Sequence, residues 1–158
     1  MWNIPENLTI EKNLKKLLKL SELAKEAGYN VNIASPNTDV EMNEWEKRND
    51  VKIPEQYRDF LLFTSHYNLH FEMIHMYFPL EVSKRPSYIS EEMVLIGSTM
   101  GGEETICFSK STGNIVTIRD GRNQEHGDFN SYLKKACKVV GRCTELTMKE
   151  IKEFIESD

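Results

Sequence analysis

The stretch Thr105-Ile106-Cys107-Phe108-Ser109-Lys110-Ser111-Thr112-Gly113-Asn114-Ile115-Val116-Thr117-Ile118 decides how this chain of 158 residues is read. Two short runs rich in β-branched and aromatic residues flank a polar, glycine-bearing centre, the pattern of an antiparallel hairpin. The length of its loop fixes which side chains share a face. A type I turn at Ser111-Thr112, with Gly113 in the left-handed bulge position, sets Phe108 opposite Val116 and Ile106 opposite Ile118. All four then face one core, and Cys107 lies beside Thr117 on the other side. A two-residue turn at Gly113-Asn114 would group Val116 and Ile118 with Cys107 and Ser109 and divide the apolar set. The first register is therefore expected.

Working outward, Met93 to Gly97 is a further short strand. Gly97 to Gly102 reads as a tight turn. Upstream, Phe71, Met73, Ile74, Met76, Tyr77, Phe78 and Leu80 form a dense apolar stretch of β-formers, closed by Pro79 and by Lys84-Arg85-Pro86. Before it the period changes to that of helices. Leu14, Leu17, Leu18, Leu20, Leu23, Ala24 and Ala27 mark an amphipathic helix over 7–27 that Gly28 stops. Residues 30–37 are polar and end in Ser35-Pro36-Asn37. Thr38 and Glu41 then have capping-box spacing, which starts a helix running through Met42 and Trp45 to about Arg48. Pro54 sits where a first helical turn tolerates proline, ahead of Tyr57, Phe60, Leu61 and Thr64.

At the other end, Phe129, Tyr132, Leu133, Ala136 and Cys137 share a helical face, and Thr144 or Thr147 can cap a separate last helix over 144–157. About five helices around a mostly antiparallel sheet make an α+β fold. With 39% hydrophobic residues in 158, residues 1–158 are expected to be a single domain.

A net charge of −5 disfavours direct binding to nucleic acid or to an anionic membrane and favours a basic partner. Cys107, Cys137 and Cys143 are an odd number of cysteines without a Cys-x-x-Cys pair, which suits a reducing compartment. The longest apolar runs, Phe60 to Phe63 and Met93 to Ile96, are four residues long, too short for a membrane span. The expected location is the cytoplasm.

Constellations that could carry chemistry are weak. Cys107, His126 and Asp128 could form a thiol, base and acid, but nothing local positions them. His66, His70 and His75 would suit a metal on one helix, yet the segment from Phe71 reads as strand. Glutamates rather than Lys-Ser or Lys-Thr follow Gly101-Gly102, which is wrong for a phosphate loop. The adjacent acids Glu91-Glu92 and Glu103-Glu104 are expected to point apart into solvent. No catalytic residue, cofactor site or metal site is expected.

The ordered segments nonetheless form a family pattern. Val51-Lys52-Ile53-Pro54-Glu55-x-Tyr57-x-x-Phe60-Leu61 is followed by Ile96-Gly97, Gly101-Gly102-Glu103, Ile106-Cys107-Phe108, Thr112-Gly113 with Ile115-Val116, and Asp128-Phe129-x-x-Tyr132-Leu133. Over residues 38–137 the chain resembles the SUKH superfamily of SMI/KNR-type domains. Two departures stand out. Asn49-Asp50 replaces the Leu-Gly common before the Val-x-Leu-Pro run, and Thr64-Ser65-His66-Tyr67-Asn68 lacks an Asn-Gly, so those connections are expected to differ in shape. The resemblance implies an α+β fold without catalytic activity. It also implies an immunity protein, as bacterial members bind and neutralise a cognate toxin, often a nuclease. Fungal relatives are regulatory scaffolds.

Charge distribution adds a mechanism. Residues 29–104 hold thirteen acids against six bases, a net −7, while the segments on either side each carry +1. An acidic surface could meet the basic cleft of a nuclease toxin, with Glu72, Glu91, Glu92, Glu103, Glu104 and Asp120 as the expected partner contacts. Exposed members among Trp45, Tyr67, Tyr77 and Tyr88 would anchor it, Trp45 and Tyr77 being better placed as core. Two other classes remain: a regulatory protein-binding scaffold of the same fold, and a small-ligand receptor or enzyme. A closed apolar pocket with converging polar groups would favour the latter.

Overall fold

Buried side chains alternate along β2 (His66–Leu69) and β3 (Ile74–Tyr77) and run nearly continuously through β5 (Glu104–Ser109) and β6 (Ile115–Arg119), which with β1 (Val31–Ile33), β4 (Met93–Thr99) and the exposed β7 (Arg122–Glu125) make seven strands. Each pairs antiparallel with its chain neighbours, so the sheet order is the chain order. The structure, a computed structural model, describes residues 4–6, 8–70 and 73–156, without the side chains of 143, 144, 146–148 and 150–156.

Among the described residues the α-helices are α1 (Glu11–Glu26), α2 (Asp39–Asn49), α3 (Glu55–Phe63) and α4 (Phe129–Glu156). Leu14 and Leu17 of α1, Met42 and Trp45 of α2, Tyr57 and Phe60 of α3, and Phe129 and Leu133 of α4 share one core with Tyr67, Leu69, Ile74, Met76, Ile106, Phe108 and Ile115. Those strand residues alternate along the chain, so the helices all cover the same face of the sheet. Ile89, Cys107, Val116 and Ile118 form a smaller cluster on the opposite face, with Met93 and Leu95 against it.

The fold is α+β, as expected, but with four helices rather than about five. Residues 129–156 form one helix and not two. Gly141 costs a helix only about 1 kcal/mol relative to alanine. No proline interrupts the segment, and packing of α4 along α1 offsets that cost.

The hairpin register also differs. Phe108 faces Ile115, Cys107 faces Val116, Ile106 faces Thr117 and Thr105 faces Ile118. Gly113 is left-handed as expected, with φ 73°, yet its N–H donates to the Ser109 carbonyl at 2.8 Å and the loop covers 110–113. This longer loop shifts the register by one residue and puts Val116 and Ile118 on the face away from the helices. Both faces are buried here, so dividing the apolar set carries no penalty.

Strands β1, β2 and β7 are not anticipated, because β1 is three half-exposed or exposed residues, β2 is only four residues with His66 and Asn68 between its buried Tyr67 and Leu69, and β7 is polar and exposed throughout. The apolar stretch from Phe71 to Leu80 contributes β3, while residues 71 and 72 lie outside the described residues. The turn expected at Gly97 begins only after Thr99, where Met100, Gly101 and Gly102 all take positive φ. Gly97 itself sits in β4 beside a register shift between Leu95 and Gly97.

Candidate functional site

Between β6 and β7 the chain reads Asp120-Gly121, with φ of 51° and 73° at the two residues. Positive φ at both centres is what the tightest hairpin turns need, because it matches the right-handed twist of the strands. The turn sets Arg119 directly opposite Arg122, and Thr117 opposite Gln124. Alternation from Ile115 puts these four side chains on the helix-bearing face. Every residue of β7 is exposed, so this end of the sheet projects past the helical cover. Thr117, Arg119, Arg122 and Gln124, with Glu104, Asp120 and Asn123, line a hollow of about 610 Å³.

Its floor is ordered by hydrogen bonds. The Thr99 hydroxyl donates to Glu104 Oε1 at 2.9 Å. Thr117 Oγ1 lies 2.7 Å from His126 Nε2, and Lys135 Nζ lies 3.1 Å from His126 Nδ1. An ammonium can only donate, so Nδ1 accepts, and the ring is neutral with its proton on Nε2, donated to Thr117. Burial, and then the Lys135 charge, hold the His126 pKa below its ordinary value, with Glu104 opposing in part. At the rim, Glu103 is 3.9 Å and Asp120 4.0 Å from the Arg119 guanidinium.

Glu103, Glu104 and Asp120, three of the expected contacts, therefore gather around one hollow. Glu91 and Glu92 do not join them. Met93 pairs with Ser109 at one end of β4 and Thr99 with Glu104 at the other. Six residue steps at about 3.3 Å each separate the two ends by roughly 20 Å. Glu92 accepts hydrogen bonds from the Ser109 hydroxyl at 2.9 Å and the Ser111 N–H at 2.8 Å, which holds the 110–113 loop. Bonds from Ser111, and then from Ser109, hold its carboxyl below the usual range. Glu91 lies 3.7 Å from Arg85. Glu72 falls outside the described residues. Trp45 and Tyr67 are buried in the core, Tyr77 is half-buried, and Tyr88 is 71% exposed.

Arg119, Arg122, Thr117, Gln124 and Lys135 are not singled out as site residues by the sequence, and His126 enters there only as a base beside Cys107. The signal that could have found the first four is Asp120-Gly121 itself, a strong short-range hairpin cue that fixes which residues oppose each other. No local cue joins Lys135 to His126.

The other constellations separate. Cys107 lies on the far face of the sheet from His126, and burial pushes its thiol up to about 12. Asp128 caps α4 by accepting from the Ser131 N–H at 2.9 Å. His66 and His75 place their Nε2 atoms 2.6 Å apart, closer than the roughly 3.3 Å that two nitrogens keep around one tetrahedral zinc. Among the described residues no group of three or more His, Cys, Asp and Glu could hold a metal ion. Nor is any helix among them long and apolar enough to cross a membrane. No family model and no curated protein matches the chain.

Proposed function

We propose that this chain is a non-enzymatic, SUKH-like immunity protein that docks on a cognate toxin through the charged end of its sheet. The observation that carries this reading is the hollow beside β7, open at its rim and lined by charged and amide side chains. An enclosed apolar pocket would suit a small ligand, whereas a charged, projecting rim suits a protein. The Glu103 and Asp120 side chains are 68% and 90% exposed, free to meet the basic cleft of a nuclease.

Such a contact steers encounter and blocks the cleft by occupying it. Field screening sets the size of the contact. With a Debye length of about 8 Å at physiological salt, Glu91 and Glu92 lie too far from the hollow to add much to docking there. The contact set narrows to Glu103, Glu104 and Asp120.

The test is co-expression with a toxin domain encoded beside this chain, scoring growth rescue, followed by association kinetics across salt concentrations. Glu103→Lys combined with Asp120→Lys is expected to slow association about tenfold and flatten its salt dependence. Glu91→Lys should leave both unchanged. Equal effects of the two variants, or none, would remove the docking site from this end of the sheet.

A further inference from the structure

The opposed arginines at the base of the β6–β7 turn are a local conflict. Like charges placed directly opposite across a strand pair destabilise it. Two other arginines are closely neutralised: Arg48 reaches Glu81 at 2.7 Å and Arg58 reaches Glu46 at 2.9 Å. Arg119 has only long ion pairs, at 3.9 and 4.0 Å, and its guanidinium donates to Met100 Sδ, a weak acceptor. The Arg122 guanidinium has no hydrogen bond or ion pair among the described residues. Both side chains nonetheless line the same hollow, so two sets of donors there are largely unspent.

We propose that Arg119 and Arg122 together form a binding site for a carboxylate group. A guanidinium presents a planar fork of donors that matches two oxygens of a planar anion. Charge selects among anions. Glu104 and Asp120 share the lining and formally cancel the two arginines, so a single negative charge is better tolerated than the double charge of a phosphate. The Thr117 hydroxyl and Gln124 amide supply further polar contacts along the wall. If the docking reading above holds, the carboxylate is an acidic side chain that the partner sets among its basic residues. The site itself does not depend on that reading.

A titration of the full chain tests the site without any partner. Chloride is exchanged for acetate, and separately for inorganic phosphate, at constant ionic strength, while arginine Nε–Hε resonances are followed by NMR. Arg119 and Arg122 should shift along a saturating curve with a dissociation constant on the order of 10 mM for acetate, and Arg142 should not. Arg122→Gln, or Arg119→Gln as a second variant, should weaken this at least fivefold while the thermal melt holds or rises slightly, since either variant relieves the opposed charges. A linear response, or the same curve in both variants, would overturn the site. Tighter binding of phosphate than acetate would overturn the choice of carboxylate. Failure here leaves the toxin experiment standing, and failure of that experiment leaves the acetate site standing.

Discussion

A Cβ added at Gly97 would stand 2.2 Å from the backbone oxygen of His75, inside the distance that real side chains keep. Glycine is required there by the approach of β3 and not by backbone dihedrals. Gly97→Ala should cost about 3 kcal/mol, the upper end of overpacking penalties, read from urea denaturation. An unshifted midpoint would mean that β3 and β4 can move apart freely. His126 offers a second residue-scale expectation. Its folded pKa is depressed, so the unfolded chain binds its proton more readily. Stability from this group is complete above about pH 6.5 and is lost as pH falls through the lower folded value. NMR titration should give a His126 pKa below the ordinary one, and Lys135→Ala should raise it. The Thr38 cap was legible because donor and acceptor are three residues apart, with the Glu41 N–H reaching the Thr38 hydroxyl at 3.2 Å. The Lys135 contact to His126 was not, because it joins a helix to a strand-end loop.

At the scale of elements, the stripe of α1 and the start of α2 could be read from periodicity and capping, whereas the continuity of α4 could not. Thr144 and Thr147 offered a cap for a separate helix, yet the helix runs on through Gly141, where an added Cβ would meet only Leu20 Cδ2, at an ordinary 3.8 Å. Gly141→Ala should therefore raise stability by about 1 kcal/mol through helix propensity alone, measured by chemical denaturation. A loss instead would show that α1 and α4 pack too closely there for a methyl group. The hairpin teaches the opposite lesson. Its strands and its left-handed glycine were legible, but its register was not, because collecting the apolar set on one side is required only where the other face of the sheet is wet. The Ile89 segment buries the second face and removes that constraint.

For the whole molecule, carboxylates tie separate segments together. Glu81 bonds Arg48 and Asn49 across from α2, Glu92 holds the 110–113 loop, and Asp128 links the start of α4 to Gln56. Hydrogen bonds, first from Arg48, Ser111 and Ser131 respectively, hold all three below the usual carboxylate range. Their contribution is present above about pH 4 and is lost as pH falls through the folded values. The melting temperature should therefore drop on acidification below pH 4, and Glu92→Gln should make that drop shallower. By itself the sequence determined the α+β class, the Thr38 cap, the Gly28 stop and the helix stripes, because each but the class depends on residues within a few positions of one another. Only the tertiary structure decided the strand register, the division of five acids (Glu91 and Glu92 from Glu103, Glu104 and Asp120) between two ends of a sheet, and the hollow where Arg119 meets Arg122. Those depend on which faces are buried and on which distant segments become neighbours, and neither is encoded in any local period.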